Sequence, residues 1–377
     1  MSVASSSRSL ALDIFRGMTV CFMIIVNTPG SETFTFSPLR HAHWHGFTPT
    51  DLVFPSFLFA VGNAMSFAMK KYQALGDGAV LGKIFKRTLL IFFLGYFMYW
   101  FPFVHQEADG WHGNPIAGTR ILGVLQRIAL CYCFASLLIH YFSYKAVYFI
   151  GGFLLIGYWT ILLFFGAPGG DPFGMTTNAG YFLDRWVMGE GHMYHGEGVA
   201  FDPEGILSTL PAIVNVILGY FTGVFIQQKG KSYEGLTKLL LTGCALMALA
   251  WAWNLVFPVN KKLWTSSFVL LTVGLDMILL SFLIYTIEIR QKTAWTPFFG
   301  VFGKNPLFIY LVSELLVVVL FTIRHNGDES LFEWINRGFY QAVFPGPIGS
   351  LLFALSYMMV CWSVGKWLDL KKIYIRV

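Results

Sequence analysis

Thr48-Pro-Thr-Asp-Leu-Val-Phe-Pro-Ser-Phe-Leu-Phe-Ala-Val-Gly-Asn-Ala-Met-Ser-Phe-Ala-Met69 decides the fold class. Thr48, Pro49 and Asp51 form a helix start: an N-cap hydroxyl, a proline in the first turn, and a carboxylate three residues after the cap. No further charge follows until Lys70 and Lys71. An apolar helix of about 20 residues crosses the hydrocarbon core of a bilayer. Comparable runs lie near 10–29, 84–103, 120–141, 146–166, 206–227, 238–258, 266–289, 298–320 and 347–366. The expectation is an all-α integral membrane protein of about ten transmembrane helices. Composition agrees, for 56% of the 377 residues are apolar and 12% are charged, against about 25% charged in soluble domains. So little charge cannot cover a soluble fold of this size, and a nucleic-acid partner is not expected.

Loop charge sets the expected orientation. Of the 26 Lys and Arg residues, sixteen fall in alternate loops on one side and six on the other. Four (Arg16, Arg120, Arg127, Lys304) fall within the apolar runs. The positive-inside rule then places both termini in the cytoplasm. The first apolar run carries Asp13 and Arg16 and lacks a small-residue cleavage site, so a retained helix is expected rather than a signal peptide. Eight of the nine histidines fall in the outward loops, and only His140 lies near a cytoplasmic end. The longest outward loop, 167–205, is rich in Gly, acids and aromatics, as suits a polar substrate vestibule. No repeat or linker divides the chain, and 1–377 reads as one domain. All five cysteines lie inside apolar runs without zinc or disulfide spacing.

His41-Ala-His-Trp-His-Gly46 stands just before the helix start at Thr48. A histidine there exchanges protons near neutral pH, as a general base or nucleophile must. Three readings stay open: catalysis, interfacial residues without a role, and metal ligation, for which no fourth ligand is evident. Ionisable groups inside the bilayer cost about 2.5–3.5 kcal/mol each on the insertion scale, so they mark function or pairing. Asp13 and Arg16 share a helix face and can neutralise each other. Gln126, Arg127, Asp276, Lys304, Asn305 and Glu314 read as a salt-bridge network or as the lining of a polar cavity. Lys83, Lys86 and Arg87 form a basic cluster that positive-inside bias explains by itself, although phosphate binding would use the same residues.

Leu12-Asp-Ile-Phe-Arg-Gly17, Val26-Asn27, His41-Ala-His-Trp-His-Gly46 and Thr48 to Pro55 closely resemble, in the same order, the heparan-α-glucosaminide N-acetyltransferase family of transmembrane acyltransferases. Gly123-Val-Leu-Gln-Arg-Ile128, Asp202-Pro-Glu-Gly205, Asn260-Lys-Lys-Leu-Trp-Thr-Ser-Ser267 and Phe302-Gly-Lys-Asn-Pro306 fit its bacterial, NagX-like branch. The resemblance implies acetyl transfer from cytosolic acetyl-CoA to the amine of a terminal glucosamine across the membrane. It also implies a bacterial inner-membrane location and a role in amino-sugar metabolism. The family's active histidine matches His41, and its preceding asparagine matches Asn27. The chain departs from the animal enzymes in lacking their large lumenal N-terminal domain and in carrying His45 in place of a polar amide. A chitin-derived or cell-wall-derived glucosamine is therefore expected rather than heparan sulfate.

The chemistry fits those residues. A thioester is already reactive, so the protein needs proximity, a base and stabilisation of a developing oxyanion. His41 is expected as base or nucleophile, Asn27 as oxyanion donor or ring orienter, and Asp51 as the holder of the imidazole tautomer. Gln126, Arg127, Ser266, Ser267 and Asn305 are expected along the pantetheine arm, with Lys304, Lys83, Lys86 and Arg87 at its phosphates and no metal. The alternatives are an amino-sugar or proton-coupled secondary transporter, with the buried charges as a proton relay, and a scaffold, which leaves the histidines unexplained. Whether the chain forms a homo-oligomer stays open.

Overall fold

The computed structural model describes residues 9–72, 74–107, 110–325 and 329–375. Thirteen α-helices occur there: α1 Leu10–Asn27, α2 Val53–Tyr72, α3 Asp77–Trp100, α4 Val124–Tyr141, α5 Tyr144–Phe164, α6 Ala179–Met188, α7 Thr209–Lys229, α8 Tyr233–Asn254, α9 Ser266–Leu283, α10 Thr296–Lys304, α11 Pro306–Thr322, α12 Leu331–Ile335 and α13 Pro347–Leu370. The strands are two short antiparallel hairpins, Val104–Glu107 with Gly110–Gly113 and Arg324–His325 with Glu329–Ser330.

Among the described residues, eight helices are long and apolar enough to cross a bilayer, and nine if α10 and α11, bent by 83° at their junction, make one broken span. The expected count of about ten is lowered by α3, which is helical over the predicted run but carries Lys83, Lys86 and Arg87 within it. The chain is a multi-pass helical membrane protein. α5 and α8 leave most of their apolar surface uncovered, with Phe149 81% and Phe153 74% exposed, as a bilayer and not water would solvate.

Glycines let the central helices approach closely. A Cβ on Gly62 of α2 would overlap the Val216 carbonyl of α7, and one on Gly219 would overlap the Phe59 carbonyl. Without a hydrophobic force between helices in lipid, such small-residue contacts supply the packing. The helices alternate in direction and so define two faces. One carries the loops 28–48, 101–123, 165–208 and 255–265, and is called the His41 face. The other carries Lys70, Lys71 and the start of α1, and is called the Lys70 face.

Candidate active site

At the His41 face, the entry to α2 is a short 3-10 turn, Pro49–Leu52, capped as its sequence suggests. Asp51 Oδ2 accepts from the Thr48 backbone N–H at 2.9 Å, from Thr48 Oγ1 at 3.1 Å and from the Ala42 N–H at 3.1 Å. Its other oxygen takes His41 Nδ1 at 2.7 Å. The carboxylate that starts the helix therefore also orients the imidazole. Nδ1 carries the proton, and Nε2 is left with its lone pair. The Asp51 side chain is buried, whereas 40% of the His41 side-chain surface is open. Burial pushes the proton affinity of His41 below the ordinary histidine value, Asp51 opposes that shift, and the Lys261 cation adds to it. A neutral ring with a fixed tautomer is the form a base requires.

His43 and His45 sit differently. The carbonyl of His43 accepts from Lys262 Nζ at 3.0 Å, and His45 Nδ1 meets Asn260 Nδ2 at 3.4 Å. Among the described residues no three His, Cys, Asp or Glu side chains group as metal ligands. Loop 167–205 packs against this segment: Trp44 Nε1 donates to the Phe173 carbonyl at 3.0 Å, and Lys262 pairs with Glu197 at 2.6 Å. Asp202-Pro-Glu-Gly205 anchors the loop below. Arg120 lies before α4 rather than within a span, and donates to Asp202 at 2.6 and 3.1 Å and to Glu204 at 2.7 Å. Its guanidinium lies between the rings of Tyr99 and Tyr194.

Lys261, a loop cation within the Asn260–Ser267 element, is not among the site residues expected from sequence, yet it stands beside His41. Its Nζ lies 3.2 Å from His41 Nδ1 and 3.1 Å from Nε2. The signal available was its place in Asn260-Lys-Lys-Leu-Trp264, beside a tryptophan that is fully buried. Asn27, the last residue of α1, donates from Nδ2 to Glu314 Oε1 of α11 at 3.4 Å, a partner on another helix and not His41.

A cavity of about 700 Å³ opens on the Lys70 face, within the roughly 300–1,000 Å³ of small-molecule sites. Its cationic lining is Arg16, Lys70, Lys71, Arg87 and Lys304. Its wall follows α2 from Lys70 up to Phe57, about 20 Å of helix rise, and so ends about 10 Å along the axis from Asp51. Among the described residues, the buried Asn63 Oδ1 and Arg87 Nε of this lining have no hydrogen-bond partner. Tyr374 and Ile375 also line it, held by Asn305, whose Nδ2 donates to the Ile373 carbonyl at 3.0 Å and whose Oδ1 accepts from the Ile375 N–H at 2.8 Å.

Of the nine residues expected around an acyl donor, Arg87 and Lys304 line this cavity, and Lys304 is paired with Asp369 at 2.6 Å. The other seven are elsewhere. Lys83 and Lys86 are exposed on α3. Asn305 clamps the C-terminal segment. Ser266 and Ser267 are the first two residues of α9, at its His41-face end, and donate to the carbonyls of Leu155 at 2.8 Å and Phe257 at 2.7 Å. Arg127 is buried against Gly205, Ser208 and the Trp264 ring. Gln126 is fully buried under Gly95, and its amide atoms have no partner. Hydroxyls, amides and cations inside apolar helices look alike in sequence; which of them face a cavity is decided by helix rotation.

The fold defines a multi-pass membrane protein with two polar regions, a tautomer-fixed histidine at one face and a cation-lined cavity at the other. Heparan-α-glucosaminide N-acetyltransferase of Mus musculus is similar to this chain, 28% identical over 369 residues that take in 83% of this chain and 54% of that protein. The Homo sapiens protein of the same name is 29% identical over 364 residues, 82% of this chain and 53% of that one. The chain spans about half the length of these relatives. The likeness supports the family resemblance carried by the His41-to-Pro55 block. No protein-family model matches the chain.

Proposed function

We propose that the chain is a transmembrane acetyltransferase that moves an acetyl group from acetyl-CoA, bound from the Lys70 face, to the amine of a glucosamine-type sugar at the His41 face. The observation that carries this reading is the His41–Asp51 pair at the head of α2, with a long cation-lined cavity running up the same helix toward it. The cavity suits a polyanion on an elongated arm. Arg16, Lys70, Lys71 and Lys304 would meet phosphates, and Asn63 Oδ1 and Arg87 Nε, without hydrogen-bond partners among the described residues, would take polar groups of the donor. The excess of basic residues on the Lys70 side supports a cytoplasmic Lys70 face.

The donor's thioester supplies an activated acyl carbon. His41 provides the base. As the sugar nitrogen forms the new C–N bond, its proton passes to Nε2. As the C–S bond breaks, His41 returns that proton to the departing sulfur. Asp51 holds the ring through both steps and stabilises the imidazolium between them. Loop 167–205 walls the His41 side and supplies acidic and aromatic groups suited to a sugar.

The test is a rate assay with radiolabelled acetyl-CoA and glucosamine on purified protein, comparing His41→Ala, His43→Ala and His45→Ala. His41→Ala should lose about 10²–10⁴-fold in turnover, the contribution of a general base, while His43→Ala and His45→Ala keep most activity. Near-normal turnover in His41→Ala would overturn the assignment.

A further inference from the structure

We infer that Lys261 is a catalytic residue of the His41 centre, its ammonium placed to stabilise the negative charge that develops on the acyl oxygen and to hold His41 neutral. The inference rests on the acetyl-transfer reading above and adds to it a group that neither the composition nor the relatives' names point to.

The first observation is geometric. Nζ is almost equally far from the two ring nitrogens of His41, at 3.2 and 3.1 Å. A group nearly equidistant from both nitrogens lies over the ring and not in line with the Nε2 lone pair. Nε2 therefore keeps its in-plane lone pair for a proton, while the ammonium stays 3.1 Å from the atom that takes that proton, close enough to act on charge that develops beside it. A preorganised cation aimed at developing charge is the strongest device available for acyl transfer.

The second observation is that Lys261 is left without an ion pair, unlike its neighbour. Lys262 is matched with Glu197 at 2.6 Å. Among the described residues Lys261 has no carboxylate at salt-bridge distance. Asp51, Glu204 and Glu197 act on it only across longer separations, with Lys262 opposing them. Glu204 is already engaged by Arg120 at 2.7 Å. A partly desolvated ammonium without a direct counter-ion is costly, so packing must hold it there.

The third observation shows what holds it. The turn that carries Lys261 is fixed from every side. Asn260 Oδ1 accepts from the Leu263 N–H at 2.9 Å, the Asn260 N–H donates to Thr265 Oγ1 at 3.0 Å, and the Trp264 N–H donates to the Lys261 carbonyl at 3.0 Å. Trp264 adopts a left-handed φ of 54°, with its fully buried indole donating to Asn215 Oδ1 at 3.0 Å. A bulky residue accepts that conformation only where its surroundings impose it.

The tests are Lys261→Met, which keeps the apolar stem and removes the charge, and Lys261→Arg, which keeps the charge with another geometry. At saturating substrates Lys261→Met should lower kcat by about 10²–10³-fold, the range for removal of one oxyanion donor, with KM for acetyl-CoA little changed. Lys261→Arg should recover part of the loss. The acid limb of kcat/KM should move to higher pH in Lys261→Met, because removing a cation raises the proton affinity of His41. A second readout needs no turnover: the pH dependence of His41 carbethoxylation by diethyl pyrocarbonate, followed on its peptide by mass spectrometry, should move the same way. A loss confined to KM, or a kcat and both pH profiles like wild type in a folded Lys261→Met, overturns the inference. Wild-type protein that transfers no acetyl group refutes the acetyl-transfer reading and the oxyanion role with it, whereas an unmoved carbethoxylation profile in an active enzyme refutes the Lys261 coupling alone.

Discussion

Asp51→Asn separates the two tasks of one carboxylate. In the native protein Asp51 accepts from His41 Nδ1 and from three donors of the helix cap, Ala42 N–H, Thr48 N–H and Thr48 Oγ1. Asparagine has the same shape but only one accepting atom. With its oxygen toward the cap, its amide N–H must face Nδ1, which forces the imidazole proton onto Nε2 and removes the lone pair that the reaction needs. With its oxygen toward His41, its NH2 opposes the cap donors, and each buried donor left unpaired costs about 1–3 kcal/mol. The first arrangement is the cheaper one. The variant should therefore fold with a loss of about 1–2 kcal/mol, since it gives up the charge but not the cap geometry. Its turnover should fall by about 10²–10⁴-fold, the contribution of a correctly held general base. The assay is labelled acetyl transfer in detergent beside thermal unfolding of the same preparation. A folded Asp51→Asn with turnover within about threefold of wild type, and an unshifted pH profile, would show that the His41–Asp51 contact is structural only.

The pH profile of the wild type should place its acid limb below the ordinary histidine value of about 6.5, because His41 works neutral and burial with Lys261 depresses its proton affinity; a limb above that value refutes the electrostatics. In the cavity, Lys304→Ala should weaken acetyl-CoA binding by about tenfold, the loss of one charge-assisted contact, whereas Asp369→Asn, which releases Lys304 from its 2.6 Å pair, should tighten it; isothermal titration reads both, and equal affinities in the two variants would return Lys304 to a structural role. Arg120→Met strands two largely buried carboxylates, Asp202 and Glu204, and should cost about 3–5 kcal/mol; thermal unfolding measures it, and an unchanged midpoint would mean that the clasp contributes nothing to stability.

What the sequence determined by itself is what depends on neighbours along the chain. The apolar runs mark the spanning helices because the bilayer's thickness and the helical rise are fixed quantities. The cap at Thr48–Asp51 was readable for the same reason, and the His41–Asp51 bond formed because only ten residues separate them in one loop and one turn. The most specific element of the family resemblance is that same local block, His41 to Pro55.

The tertiary structure decided everything that depends on rotation about a helix axis or on distant segments meeting. Arg87 and Lys304 line the cavity on the Lys70 face, whereas Arg127 turns toward Gly205 and Ser208, and Ser266 and Ser267 turn to backbone carbonyls. In an apolar helix each of these polar residues has the same hydropathic signature whichever way it points, because lipid, protein and cavity differ only in three dimensions. Lys261 reached His41 across 220 residues of chain, through a turn held by a buried tryptophan. No periodicity encodes that approach; it follows from the alternating course of α1 to α9, which returns the loop before α9 to the mouth of α2.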